Sequence, residues 1–247
     1  MLTKVATPKE IKKLGTILGI WAHPDDEAYT SGGLMKLAAD AGQRVVCITA
    51  TAGELGTSDP DAWPPEVLRP QRISELKDCL ATLGVREHYW LDYADGGCAD
   101  SDEQIAVQRI AEIIDHVKAD TVLTFGPDGY TGHSDHIAIS RWATAAFAKS
   151  AISGSNLLYV TASVDRVAKW ETFHQEYKIF ESGYPSVSRR EDQAVNLQLS
   201  GAVLETKVEA LKKQVTQTKA LVRLLGIQRY SDWVSEESFL RFTDWPS

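Results

Sequence analysis

Only 3 cysteines occur in the 247 residues. Cys47, Cys79 and Cys98 lie far apart with no Cys-x-x-Cys pair, which excludes a thiolate zinc knuckle or dithiol redox motif of that spacing. An odd, scattered set gives no disulfide framework and fits a reducing compartment, so a cytoplasmic location is expected. Long apolar runs are missing too. Nowhere do about eighteen apolar residues run together, and 1–15 carries Lys4, Lys9, Glu10, Lys12 and Lys13 instead of an apolar leader core; neither secretion nor a membrane span is expected. Basic residues are in deficit, 26 Lys and Arg against 34 Asp and Glu for a net charge of −8. With Lys12-Lys13 and Arg189-Arg190 as isolated pairs, no basic stripe exists to neutralise phosphates, and nucleic acid is excluded as a partner. The dinucleotide fingerprint Gly-x-Gly-x-x-Gly is absent after the first apolar run, where the chain reads His23-Pro24-Asp25-Asp26-Glu27.

What is present is an ordinary globular balance, 43% hydrophobic and 24% charged, with no low-complexity tract. Short β-branched runs alternate with longer amphipathic stretches, the mark of βαβ units around a mostly parallel sheet, hence an α/β fold. Strands are expected at Ile17–Trp21, 44–50, 87–91, Thr121–Phe125 and 157–161. Helical spacing is readable over 33–41, 71–83 and Glu103–Val117, with Gly42 and Gly84 placed as C-terminal stops for the first two. A longer helix is expected over 203–225. The stretch 53–70, rich in Gly and Pro, reads as a long loop with Trp63 covering a cleft. No linker divides the chain, so a single domain, 1–247, is expected. The tail aromatics Trp233, Phe239, Phe242 and Trp245 serve either a subunit interface in a homo-oligomer or their own domain; the sequence leaves both open.

Ligands of open parallel sheets bind beyond the carboxyl ends of the strands. His23, Gly53, Asp95 and His133 all follow such ends. Two imidazoles and a carboxylate, His23, Asp26 and His136, make the ligand set of a catalytic zinc, which leaves a coordination position for water. Such an ion lowers the pKa of its water and polarises a carbonyl, bringing amide hydrolysis within reach. Asp25, beside the ligands, is the expected general base. His133 is positioned to steady an oxyanion or protonate a departing amine, and Asp135 to orient an imidazole. The same set also suits iron(II). A plainer account stands beside this one: Asp25 and Asp26 as caps of a helix starting near Glu27, and the two histidines as satisfied structural groups.

With those residues in view, the chain resembles the LmbE/PIG-L family of zinc-dependent N-deacetylases, through Ala22-His23-Pro24-Asp25-Asp26-Glu27 and His133-Ser134-Asp135-His136. The likeness continues through Thr51-Ala52-Gly53-Glu54-Leu55-Gly56, Arg72-Ile73-Ser74-Glu75-Leu76, Asp95-Gly96-Gly97 and Phe125-Gly126-Pro127-Asp128-Gly129. The resemblance implies a Rossmann-like three-layer sandwich, Zn2+ on His23, Asp26 and His136, Asp25 as base and His133 as transition-state partner. It also implies Arg72 and Asp95 near the substrate, with Glu27 counted alongside them. The implied substrate is an N-acetylated amino sugar, such as an N-acetylglucosamine derivative. Alternatives are an amidase of a thiol-sugar conjugate and a non-catalytic sugar- or nucleotide-binding module. Gln214 stands where the family pattern expects a histidine, and Tyr130 reads as an exposed loop residue.

Overall fold

Strand β1 (Ile17–Trp21) is buried at all five positions, the condition of a strand covered by helices on both faces of its sheet. The computed structural model that shows this describes residues 4–246; the ends of the expected 1–247 span lie outside the described residues. Beside β1 run β2 (Val45–Thr51), β3 (Glu87–Tyr93), β4 (Thr121–Phe125) and β5 (Asn156–Ser163), all parallel. Later in the chain come β6 (Val187–Ser188), β7 (Val195–Gln198) and β8 (Glu236–Arg241). The sheet order is β3-β2-β1-β4-β5-β8-β7, with β6 paired to β5. The chain leaves β1 toward β2 and leaves β4 toward β5, so a crevice opens between the ends of β1 and β4, the switch point at which such sheets bind ligands.

Seven helices cover the sheet among the described residues: α1 (Asp26–Asp40), α2 (Pro65–Leu83), α3 (Glu103–Val117), α4 (Ser134–Ser150), α5 (Val164–Glu176), α6 (Gly201–Lys213) and α7 (Val215–Trp233). Helices α3 and α4 pack together, as do α1, α2 and α6, giving a three-layer α/β fold. The helix ends differ from the sequence expectation for definite reasons. Helix α1 begins at Asp26 rather than 33, because its first turns bury Glu27, Thr30 and Ser31, polar groups that an apolar period does not register. Helix α2 starts at Pro65, where a missing N–H costs nothing, and runs on through Pro70; the expected long loop therefore ends at residue 64. The helix expected over 203–225 is two helices, broken at Gln214 (φ −86°, ψ 59°).

The tail folds back onto its own sheet. Phe239 is fully buried and Trp233 nearly so, while Phe242 stays exposed. Strand β8 escaped notice in the sequence because it buries Glu236, Glu237 and Ser238 and so lacks an apolar alternation. Glu237 has a specific task. It pairs with Lys207 of α6 at 2.7 Å, both side chains fully buried, and its two oxygens accept from Gly33 N and Leu34 N at 2.7 Å each. Lys207 Nζ in turn donates to the Tyr29 carbonyl at 2.9 Å. A helix aims the N–H of Gly33 at that carbonyl, and here the ion pair from two other elements also engages both groups. Gly33 allows the approach, since a Cβ there would lie 2.3 Å from the Leu199 side chain.

Removing one partner of a buried pair strands the other charge. Lys207→Met is therefore expected to lower stability by about 3–5 kcal/mol, read from the urea midpoint; an unchanged midpoint would show that the pair does not hold α1. A second expectation concerns acid. His174 accepts from Trp233 Nε1 at 3.1 Å, and burial, aided by the Arg166 charge, pushes its pKa down to about 4. The unfolded chain binds that proton near pH 6.5, so stability present above about 6.5 drains away as pH falls toward 4. Burial presses His88 down to about 4 as well, with the same sign. His174→Gln keeps an acceptor without the proton uptake. Its melting temperature should fall less between pH 7 and pH 5 than that of the parent, and equal falls would contradict the assignment.

Candidate metal centre and its cavity

After Trp21 the chain turns sharply into α1, and Asp25 is the residue that makes the turn. It is the N-cap of the helix with φ 101° and ψ −29°, a left-handed conformation that costs a non-glycine residue of order 1–3 kcal/mol unless its surroundings enforce it. They do. The Asp25 N–H donates to Glu27 Oε2 at 3.0 Å, its carbonyl accepts from Ala28 N and Tyr29 N, and its carboxylate lies 3.3 Å from Arg72 Nη2. The same guanidinium donates to the carbonyls of Pro24 and Gly53, so Arg72 ties the loops after β1 and β2 to α2 even though it borders the cavity. Asp25 thus holds the N-cap position through its backbone alone, its side chain making no capping bond, and Asp26 is already inside the helix.

The second half of the site follows β4. His133 caps α4, and its Nδ1 accepts from Asp135 N at 3.2 Å; in the neutral ring the proton then sits on Nε2. His136, one turn on, lies flat against Phe125 with ring centroids 4.1 Å apart and planes 9° apart. Its Nδ1 faces the Gly129 carbonyl at 3.1 Å and Thr131 Oγ1 at 3.0 Å. Donation to that carbonyl fixes the tautomer and leaves Nε2 bare.

His23 is fixed in a matching way. Its Nε2 meets Asp95 Oδ1 at 3.0 Å and Asp135 Oδ2 at 3.2 Å, so that nitrogen keeps its proton, and Nδ1 is the one that a metal ion would take in place of a proton. The two remaining nitrogens, His23 Nδ1 and His136 Nε2, are 3.2 Å apart and share a hydrogen bond. Asp26 lies beside both, with Oδ2 3.7 Å from the first and Oδ1 3.4 Å from the second. Four-coordinate zinc with bonds of about 2.0–2.1 Å spaces its ligands about 3.3 Å apart, close to the separation of the two ring nitrogens, and a small turn of the Asp26 carboxylate would bring one oxygen to both. The donors fit a divalent ion in chemistry as well as spacing, since an ion among them takes the place of a proton.

Two groupings among the described residues bring one ligand atom from each member within 4.8 Å of one another, both through His23: with His133 and His136, and with Asp95 and Asp135. In the second, the carboxylates are already engaged. Asp135 accepts from Gly96 N and Cys98 N, and Asp95 from Leu55 N.

Charge in the cluster is tightly coupled. Burial pushes His23 down, but the bonds from Asp135 and Asp95 and the Asp26 charge outweigh it and lift the pKa to about 10. His136 goes the other way, pressed to about 4 by burial against the opposing pull of Asp26. Burial raises Asp95, but the bond and charge of His23, with the Leu55 N–H and the Arg72 charge, together outweigh it and leave it at about 2. Asp25 rises to about 7, chiefly through burial, with Asp26 and Glu75 adding and Arg72 and His23 opposing.

These groups line part of a cavity of about 560 Å³. Asp25, Asp95, Arg72 and His133 all border it. Glu27, expected among the substrate contacts, does not. It is fully buried behind the turn, where its carboxylate takes the Asp25 N–H, Gln214 Nε2 at 2.8 Å and the Cys79 thiol; its distance from the cavity comes from facing inward on α1. Gln214, in place of a histidine, thus acts on the turn from behind. Tyr130 is not an exposed loop residue: it is 8% exposed, borders the cavity, and its hydroxyl accepts from Arg166 Nη1 at 3.1 Å. Trp63 covers a different cavity, beside Glu75, Thr216 and Arg223, because α2 starts five residues before Pro70. Thr131 and Arg166 went unnoticed in the sequence, Arg166 in a segment where neither period nor motif stands out.

The family model described as PIG-L, GlcNAc-PI de-N-acetylase, matches residues 18–147, more than half of the chain. The chain belongs to that family. A relative from Kineococcus radiotolerans named 1D-myo-inositol 2-acetamido-2-deoxy-alpha-D-glucopyranoside deacetylase is 32% identical over 180 residues, 62% of this chain and 50% of its own. The chain therefore spans about half the length of that curated relative. Among solved structures, the N,N'-diacetylchitobiose deacetylase of Pyrococcus horikoshii superposes with a TM-score of 0.63 at 19% identity, covering 93% of this chain and 84% of that one. The 4-carboxy-2-hydroxymuconate hydratase of Pseudomonas putida superposes with a TM-score of 0.62 at 17% identity, covering 94% and 97%. A shared fold thus accompanies more than one reaction, and the reaction has to be argued from the site.

Proposed function

We propose that the whole chain acts as a single domain that hydrolyses the N-acetyl group of an amino-sugar derivative, using a divalent ion held by His23, Asp26 and His136. One observation carries the reading: two imidazoles, each held by a partner on the far ring nitrogen, turn their other nitrogens toward each other beside one carboxylate in the lining of a cavity. Zinc suits the set, and iron(II) has the same ligand preferences. When bound, the ion supplies an acidified water and polarises the acyl carbonyl. The name of the inositol-glycoside relative supports an amino-sugar substrate.

The chain's own residues carry the protons. Asp25, bordering the cavity and held by Arg72, takes a proton from the water that attacks the carbonyl carbon. His133 turns its Nε2–H toward the cavity and donates to the oxyanion of the tetrahedral intermediate. The C–N bond then breaks, the amine nitrogen regains the proton from Asp25, and acetate departs. Asp95 and Asp135 act one step back, keeping the His23 proton on Nε2. The reading also fits a cytoplasmic enzyme; no helix among the described residues is long and apolar enough to cross a membrane.

Asp25→Asn is the sharpest variant, because Asn tolerates the left-handed backbone and matches the carboxylate in shape. The zinc-loaded variant should keep its metal and lose about 100-fold or more of its turnover, measured as amine release from N-acetylglucosamine glycosides. Removing the ion with a chelator should abolish turnover in the parent, and adding zinc should restore it. An unaltered rate in the variant would contradict the base assignment; full activity of the metal-free protein would remove the mechanism.

A further inference from the structure

The N–H of the left-handed Asp25 turn goes to a side chain, and that side chain is itself aimed by a residue 187 positions further along the chain. Glu27 Oε2 takes the Asp25 N–H at 3.0 Å. Its other oxygen, Oε1, faces two donors, Gln214 Nε2 at 2.8 Å and the Cys79 thiol at 3.5 Å. A thiol is a weak donor, and a terminal carboxyl group turns in a broad torsional well. The Gln214 amide is therefore the group that fixes the plane of the Glu27 carboxylate, and with it the direction in which Oε2 points.

Gln214 is fully buried where α6 gives way to α7, and that junction is held without its side chain. The Gln214 N–H donates to the Leu211 carbonyl, and its own carbonyl accepts from Gln217 N and Thr218 N, all at 3.0 Å. Thr218 Oγ1 lies 3.0 Å from the carbonyls of both Leu211 and Gln214. The amide end is served on one side alone, for Gln214 Oε1 is buried with no hydrogen-bond partner, an arrangement that weakens a fold. A side chain that leaves its acceptor unmet in the core yet keeps its donor on one carboxylate is placed there for the donor. Neither Gln214 nor Glu27 is in the lining of the cavity.

We propose that Gln214 is a positioning residue for the hydrolysis: through Glu27 it holds the backbone turn from which Asp25 meets the attacking water. This rests on the deacetylase reading and extends it to a residue past 147, outside the family match. The neighbouring ligand is secured separately, since Asp26 Oδ2 accepts the His23 N–H at 2.8 Å. Loss of the Gln214 donor thus displaces the base and leaves the ligand set in place.

Gln214→Met keeps the length and bulk of the side chain and removes the donor. The zinc-loaded variant should hold a full equivalent of zinc, keep KM for N-acetylglucosamine glycosides within about 2-fold and lose about 10-fold in kcat, because a small misplacement of a reacting group slows the chemistry sharply. Added to Asp25→Asn, the same change should bring no further loss, as residues acting through one group are not additive. Gln214→His, which returns an N–H donor, should recover most of the rate. An unaltered kcat would overturn the proposal, and so would an equal fold-loss in the parent and Asp25→Asn backgrounds, the mark of a general effect on the fold. Gln214→Asn, whose amide stops one methylene short, carries the same comparison if the Met variant fails to fold. If the parent turns over no N-acetylated sugar, the deacetylase reading falls, and hydrogen exchange at the Asp25 amide decides the link. Exchange about 10-fold faster in Gln214→Met upholds it, and equal exchange overturns it.

Discussion

Everything at this site depends on how one imidazole is held. His23 is fixed on its Nε2 side by Asp95 and Asp135, which arrive from different loops, and it meets Asp26 and His136 through Nδ1. Each carboxylate is itself anchored by backbone N–H groups, those of Gly96, Cys98 and Leu55. A ring that two anionic acceptors compel to keep its proton on one side can meet a metal ion only with the other, where the ion takes the place of a second proton. The sheet order makes this possible, since the loops after β1 and β4 open side by side where the connections diverge.

The sharp turn that carries Asp25 and Asp26 costs energy, and the rest of the fold offsets it. Glu27 and Arg72 secure Asp25 from behind and from the side. Deeper in, the Lys207–Glu237 pair fastens the middle of α1 to α6 and β8, elements from the last third of the chain. That distant segment therefore contributes twice: it braces the helix that begins at the metal ligands, and through α5 and Trp233 it builds part of the wall of the cavity. The residues proposed to hold the ion and the Arg166 and Trp233 part of the lining come from different stretches of sequence.

Much of the fold could be read in advance where chemistry and period coincide. The apolar runs at Ile17–Trp21 and Thr121–Phe125 are strands as expected, and the motifs after them meet in space. The misreadings share a cause, buried polar groups. Glu27, Thr30 and Ser31 hide the start of α1 from an apolar period, and Glu236, Glu237 and Ser238 hide β8. Pro70 suggested a loop, yet α2 passes through it. Glu27 sits in a family motif and so looked like a site residue, but its side chain points away from the cavity. Arg166 has no motif and no regular spacing around it; only the folded chain brings it beside Tyr130.

The most direct test is where an ion sits relative to the His23 ring. Crystals of the zinc-loaded protein, measured for anomalous scattering at the zinc edge, should show one peak at about 2.0–2.2 Å from His23 Nδ1, an Asp26 oxygen and His136 Nε2. A peak on the opposite face of the ring, between His23 Nε2, Asp95 and Asp135, would contradict the account, because those carboxylates would then be ligands and not the groups that set the His23 proton.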